Sequence, residues 1–116
     1  MNINREQKKF LLDIQEAILS IDEHLERERI FAVYLSNKTK RRAVERELEI
    51  IGEAMNNLLK LNHEIPISYK RVAVNLRNKV IHAYDSIDND IVWKIILKDI
   101  PILLEEVVEL LKIETE

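Results

Sequence analysis

Apolar residues at Phe10, Ile14, Ala17, Ile18, Ile21 and Leu25 recur every three or four positions, with Glu, Lys and Arg between them. That period is one face of an α-helix and predicts a first amphipathic helix over about residues 5–27. Residues 30–35 are apolar on every side, and with nothing nearby to pair as a strand they predict a short buried helical turn. Residues 36–40 predict a loop, with Thr39 or Ser36 placed to cap the next helix. The strongest pattern follows: Val44, Leu48, Ile51, Met55 and Leu58 step down one face, with Ala54 and Leu59 beside them, ending at Asn62 and His63. Gly52 inside it costs about 1 kcal/mol of helix propensity against Ala, and predicts a close helix approach rather than a ligand contact.

Beyond Pro66, with Ser68 as a cap, the residues Val72, Leu76, Val80 and Ala83 predict a third long helix over about 68–83, and residues 84–88 a turn. Asp88, Asn89 and Asp90 put an N-cap and negative charge at the start of a fourth helix carrying Ile91, Val92, Ile95 and Ile96. Pro101 lacks a backbone donor and predicts a kink or break near residues 98–100, before a last apolar run at Leu103, Leu104, Val107, Val108, Leu110 and Leu111. The expected fold is all-α, a four- to five-helix up-and-down bundle, with residues 1–116 as one domain.

Composition narrows the chemistry. With no cysteine, a disulfide scaffold, a thiolate zinc site and a cysteine nucleophile are excluded. One glycine in 116 residues cannot build a Gly-rich phosphate loop. The apolar runs are too short to span a bilayer, and the first ten residues lack a signal-peptide core, which predicts a cytoplasmic chain that is mature as written. Eighteen basic against 21 acidic side chains give a net charge of −3, which argues against gripping long duplex DNA but leaves room for a local basic pocket.

Of three histidines, His24 falls among charges on the outer side of the first helix and His63 in a loop, both read as plain surface residues. Neither has metal-ligand spacing, so no metal and no cofactor are predicted. His82 stands in different company, within Leu76-Arg77-Asn78-Lys79-Val80-Ile81-His82-Ala83-Tyr84. On a helix Asn78 and His82 lie about 40° apart, Arg77 lies about 140° round from His82, and Tyr84 lies within about 20° of Arg77. Arginine offers a planar fork that matches phosphate, and histidine takes and gives protons near neutral pH. Together they suffice for metal-free RNA cleavage, one helping the ribose 2′-hydroxyl attack its phosphate, the other stabilising the added charge. Asn78 would orient the imidazole or a phosphate oxygen. Spacing alone favours a plainer reading, with Arg77 paired to Asp85 or Asp88 in a structural bundle, because Arg77 and His82 point different ways. A two-fold pairing of these helix ends would bring both side chains, from two copies, onto one phosphate.

The segment Arg77-Asn78-x-x-x-His82-x-Tyr84 resembles the Arg-x4-6-His signature of the HEPN superfamily, with the Tyr of its HepT-like toxins. Residues 42–46, Leu48-Glu49-Ile50-Ile51-Gly52-Glu53-Ala54, and Asp90-Ile91-Val92-Trp93 followed by Asp99-Ile100-Pro101-x-Leu103 are similar to the same family in the same order. The resemblance runs from about residue 42 to the carboxyl end. It implies a metal-independent endoribonuclease toxin of a type VII-like toxin–antitoxin pair, homodimeric, with a composite cleft. Arg77 and His82 would be catalytic with Asn78 in support. Tyr84 would receive AMP from a cognate minimal nucleotidyltransferase antitoxin, and phosphates added beside Arg77 would occupy its anion site and repel RNA. The sequence departs from the family at Tyr69, where Trp is common, near Asn75, where Gly is common, and after Tyr84, where Asp85-Ser86 replaces Phe-Gly.

Two rivals stand beside this reading: a catalytically idle helical module that dimerises and scaffolds a nucleotidyltransferase, and a nucleotide binder without cleavage. Lys38, Lys40, Arg41, Arg42 and Arg46 form a basic run fit for RNA or the antitoxin. Glu45, Glu47 and Glu49 interleave it, so a solvated helix start is at least as good a reading. Trp93 and Tyr69 have the chemistry to stack a base, but a lone Trp on an apolar helix face is more often core. Glu53 either braces Arg77 or faces outward.

Overall fold

The first helix, α1 (Arg5–His24), begins where the Asn4 side chain accepts the Gln7 N–H at 2.8 Å. In this computed structural model residues 2–68, 70, 71, 73–75 and 88–114 are described. The buried face of α1 runs through Leu11, Ile14, Ala17, Ile18 and Ile21, with Leu25 buried just beyond its end. The helix stops three residues before the expected end at 27. Glu26 and Arg27 adopt left-handed backbone with φ of 56° and 59°, at roughly 1–2 kcal/mol each for residues with a Cβ. The Arg27 N–H reaches back to the Asp22 carbonyl at 3.0 Å, closing the helix end without the glycine that usually marks such a stop.

A short helix, α2 (Phe31–Ser36), follows as expected, but only Tyr34 is fully buried in it, and Ile30 and Leu35 face solvent. The expected loop over 36–40 contracts to a single residue. Asn37 ends α2 and caps α3 (Lys38–Leu61), its side chain accepting the Lys40 N–H at 3.0 Å. The cap is therefore Asn37, not Thr39 or Ser36: its extended backbone and short amide suit the cap, and the two outer candidates are already helical. Over 24 residues, about 36 Å, α3 buries Val44, Leu48, Ile51, Ala54, Met55 and Leu58 against α1. Gly52 is buried in that face.

Asp88 caps α4 (Asn89–Lys94), its carboxylate accepting the Asp90 and Ile91 N–H groups at 3.0 and 3.2 Å. Pro101 does not break the chain. Residues Ile95–Asp99 form a π-turn, with the Ile100 N–H on the Ile95 carbonyl, and lead directly into α5 (Ile100–Leu111). The wider turn absorbs the missing donor and keeps Val92, Trp93, Ile96, Ile100, Leu103, Val107 and Leu110 on one buried side. Residues 70, 71 and 73–75 are helical, in accord with the start of the expected third helix; the rest of that element and the turn at 84–87 lie outside the described residues. The described chain is mostly helical, and no strand occurs among the described residues. None of its helices is long and apolar enough to cross a membrane.

Candidate functional site

Arg77, Asn78, His82 and Tyr84 lie outside the described residues, as does Tyr69. Before Arg77 in the chain, residues 70, 71 and 73–75 face the carboxyl end of α3 across a connecting turn. Asn56 and Leu59 form one wall of the cleft between them, and His63 and Ser68 form its end. Lys70, Arg71, Val74 and Asn75 form the other wall, enclosing an open volume of about 670 Å³.

Hydrogen bonds fix this cleft from three directions. Asn62 closes α3 by donating its N–H to Leu58, accepts the Ile65 N–H on its carbonyl at 3.2 Å, and donates its side-chain amide to Gln7 of α1 at 3.5 Å. Ile65 and Ile67 anchor the turn in the core. Ser68 gives both its N–H and its hydroxyl to the Glu106 carboxylate of α5, at 3.0 and 2.9 Å. The Lys70 ammonium donates to the His63 carbonyl at 3.1 Å and has two further donors to offer. His63 is exposed, as the sequence predicts. No carboxylate lines the cleft among the described residues.

The basic run at the start of α3 behaves differently. Lys40 pairs with Glu26 at 3.9 Å, Arg42 with Glu45 at 2.8 Å, and Arg46 with Glu49 at 3.2 Å. Arg41 donates to the Leu35 carbonyl. Glu53 is exposed and lines a separate groove with Lys9, Asp13, Arg46 and Glu49, where Lys9–Asp13 and Arg46–Glu49 are ion pairs. A third groove carries Glu105, Glu106 and Glu109 and is acidic.

Two polar features escaped the sequence reading because their partners are distant in the chain or buried. His24 is not a plain surface residue: its Nε2 lies 2.7 Å from Glu47 Oε2, joining the end of α1 to α3. Tyr34 is buried at 1% exposure, and its hydroxyl has no hydrogen-bond partner among the described residues. Burial, reinforced by the Glu45 carboxylate and opposed by Arg41 and Arg42, pushes its pKa up to about 12. Trp93 packs between Phe31 and Tyr34, with ring centroids at 5.7 and 5.1 Å. At 8% exposure it is core, and its faces are not available to a base.

Chemically, the cleft offers an anion cationic and amide groups, with apolar surface from Leu59 on one wall and Val74 on the other. Among the described residues no group of three His, Asp or Glu side chains converges as a metal site.

Comparison with known proteins covers almost the whole chain. The family model described as "Ribonuclease HepT-like" matches residues 14–110. A protein of Thermococcus cleftensis named a probable ribonuclease HepT is 42% identical over 105 residues, covering 87% of this chain and 92% of its own. A Methanocaldococcus jannaschii protein, named as a conjectured RNase, is 34% identical over 110 residues, covering 93% and 89% of the two chains. Another so named, from Caldanaerobacter subterraneus subsp. tengcongensis, is 40% identical over 86 residues, 72% of this chain and 76% of that one. No solved structure matches the chain.

Proposed function

Because the chain belongs to the HepT-like ribonuclease family, we propose that it is a metal-independent endoribonuclease, the toxin of a toxin–antitoxin pair. The observation that carries this reading is the family match over residues 14–110, which spans the whole Arg77-to-Tyr84 signature. In this reading His82 accepts the proton of a ribose 2′-hydroxyl as its oxygen attacks the adjacent phosphorus. The Arg77 guanidinium neutralises the extra charge on the phosphoryl oxygens as the bond to the 5′-oxygen breaks. The departing 5′-oxygen takes up a proton, leaving a cyclic phosphate and a free hydroxyl. Asn78 orients the imidazole. Two copies pair so that Arg77 and His82 side chains that diverge on one helix meet in a shared cleft.

The partner in this reading is a minimal nucleotidyltransferase that transfers AMP to the Tyr84 hydroxyl. The resulting phosphodiester sits beside Arg77 and excludes RNA. Cleavage of RNA by the purified protein in the presence of a metal chelator tests the assignment. Activity should fall by about 10²–10⁴-fold in His82→Ala and comparably in Arg77→Ala, and undiminished cleavage by both variants would overturn it. The mass of protein co-expressed with its partner tests the Tyr84 role: whole AMP units should appear and vanish in Tyr84→Phe.

A further inference from the structure

We propose that the cleft between the carboxyl end of α3 and residues 70, 71 and 73–75 is a binding subsite for the RNA strand next to the cleaved phosphate. Arg71 and Lys70 hold a flanking phosphate there, and Leu59 and Val74 receive a sugar or base face. The proposal rests on the ribonuclease reading and extends it to substrate positioning.

Charge is the first argument. In a chain of net charge −3, this cleft gathers Lys70, Arg71 and His63 with no carboxylate among its described lining. Of two further grooves among the described residues, one holds its own ion pairs and the other is lined by glutamates. Arg71 is exposed and enters no ion pair among the described residues, whereas Arg42 and Arg46 are both paired. Its planar fork is the better phosphate ligand, and it is uncommitted.

Pre-organisation is the second. The Lys70 ammonium is tethered to the His63 carbonyl, and Ser68 is tethered to Glu106, so the cation stands at a fixed place on the wall. A tethered lysine loses less side-chain freedom on binding than a free one. The volume, about 670 Å³, falls within the range of about 300–1,000 Å³ typical of small-ligand sites. Asn56 and Asn75 add amide donors and acceptors suited to base edges.

Register is the third. Arg71, Asn75, Asn78 and His82 are spaced four, three and four residues apart in the sequence, the interval of one helix face. On the helix that the sequence predicts over 68–83, the eleven-residue interval from Arg71 to His82 would span about 16 Å, more than one nucleotide. A strand held at the reacting group would thus be gripped again upstream or downstream of it.

The test uses a short labelled single-stranded oligoribonucleotide, titrated by fluorescence anisotropy against full-length His82→Ala protein, which holds the RNA uncut. Adding Arg71→Ala should weaken binding about tenfold. It should also lower the slope of log affinity against log salt by about 0.7, one phosphate contact on a single strand. Arg71→Lys should recover much of the affinity. A second change, Lys70→Ala, should weaken binding severalfold, and Arg71→Ala should melt at the parent's temperature because Arg71 is exposed and enters no ion pair among the described residues. Equal affinity and equal salt slope in all variants would overturn the proposal. The ribonuclease reading fails separately: if the wild-type protein cuts no RNA while binding still depends on Arg71, the subsite stands and the catalytic assignment falls.

Discussion

The two ends of α3 stand in opposite electrostatic settings. At the amino-terminal half, Arg42 pairs with the buried Glu45, and Arg46 with Glu49, while Tyr34 and Trp93 are sealed in the core. At the carboxyl-terminal half, Asn56 and Leu59 face Lys70 and Arg71 across an open cleft. The first region turns its chemistry into stability. In the second, Lys70 and Arg71 enter no ion pair among the described residues, and no carboxylate is in the described lining. A count of basic residues favours the first region, yet Lys70 and Arg71, without an ion pair among the described residues, are in the second. Density of cations is therefore a poor guide unless the acids at three and four residues' distance are subtracted.

This contrast breaks if variants of the inward region change RNA affinity in folded protein, or if variants of the outward region change stability. The largest effect is expected from Trp93→Ala, which removes a ring lying against Phe31 and Tyr34. Chemical denaturation should show a loss of about 3–5 kcal/mol. The milder Trp93→Phe should fold and bind RNA as the parent does, and weakened binding there would mean that the ring is a stacking platform after all. Next comes the charge reversal Arg71→Glu, expected to weaken oligoribonucleotide binding by about a hundredfold with an unchanged melting temperature.

Arg42→Ala strands the Glu45 carboxylate, whose residue is 5% exposed. It should cost about 1–3 kcal/mol of stability and leave RNA affinity within about twofold.

The smallest expected change is Tyr34→Phe, which deletes a buried hydroxyl without a partner among the described residues and should be neutral or stabilising by up to about 1 kcal/mol. This pair also has a pH signature. The folded pKa of Tyr34 is raised to about 12 from the ordinary 10.0, so the folded state keeps a proton that the unfolded state releases. Its contribution is complete below pH about 10 and is lost as pH rises toward about 12. Wild-type protein should lose more stability than Tyr34→Phe across that window, as measured by denaturation at each pH. Parallel loss in both would show that Tyr34 is not held protonated.

Much of the architecture was legible because it depends on local period. The faces of α1 and α3, the Asp88 cap and an irregularity at Pro101 all follow from spacing of three and four or from a missing donor. Boundaries were less legible. The stop of α1 at His24 uses left-handed Glu26 and Arg27, which no glycine announces, and whether Pro101 breaks a helix or widens it into a π-turn depends on what the apolar face must stay in contact with. Least legible were pairings across the chain. His24 with Glu47, Ser68 with Glu106, and the cleft joining Asn56 to Arg71 require the fold to bring distant residues together. The candidate catalytic residues rest on an ordered motif alone, because on the helix that the sequence predicts Arg77 and His82 would not share a face, and both lie outside the described residues.

In the proposed function Arg77 and His82 cut RNA, and in the further inference the cleft lined by Lys70 and Arg71 positions the strand. Steady-state cleavage of one oligoribonucleotide, in chelator, by wild type, His82→Ala and Arg71→Ala tests both parts together. His82→Ala should lose turnover by at least about a hundredfold, and Arg71→Ala should raise KM about tenfold, with the loss in KM rather than in kcat. Wild-type turnover retained in His82→Ala would contradict the proposed function.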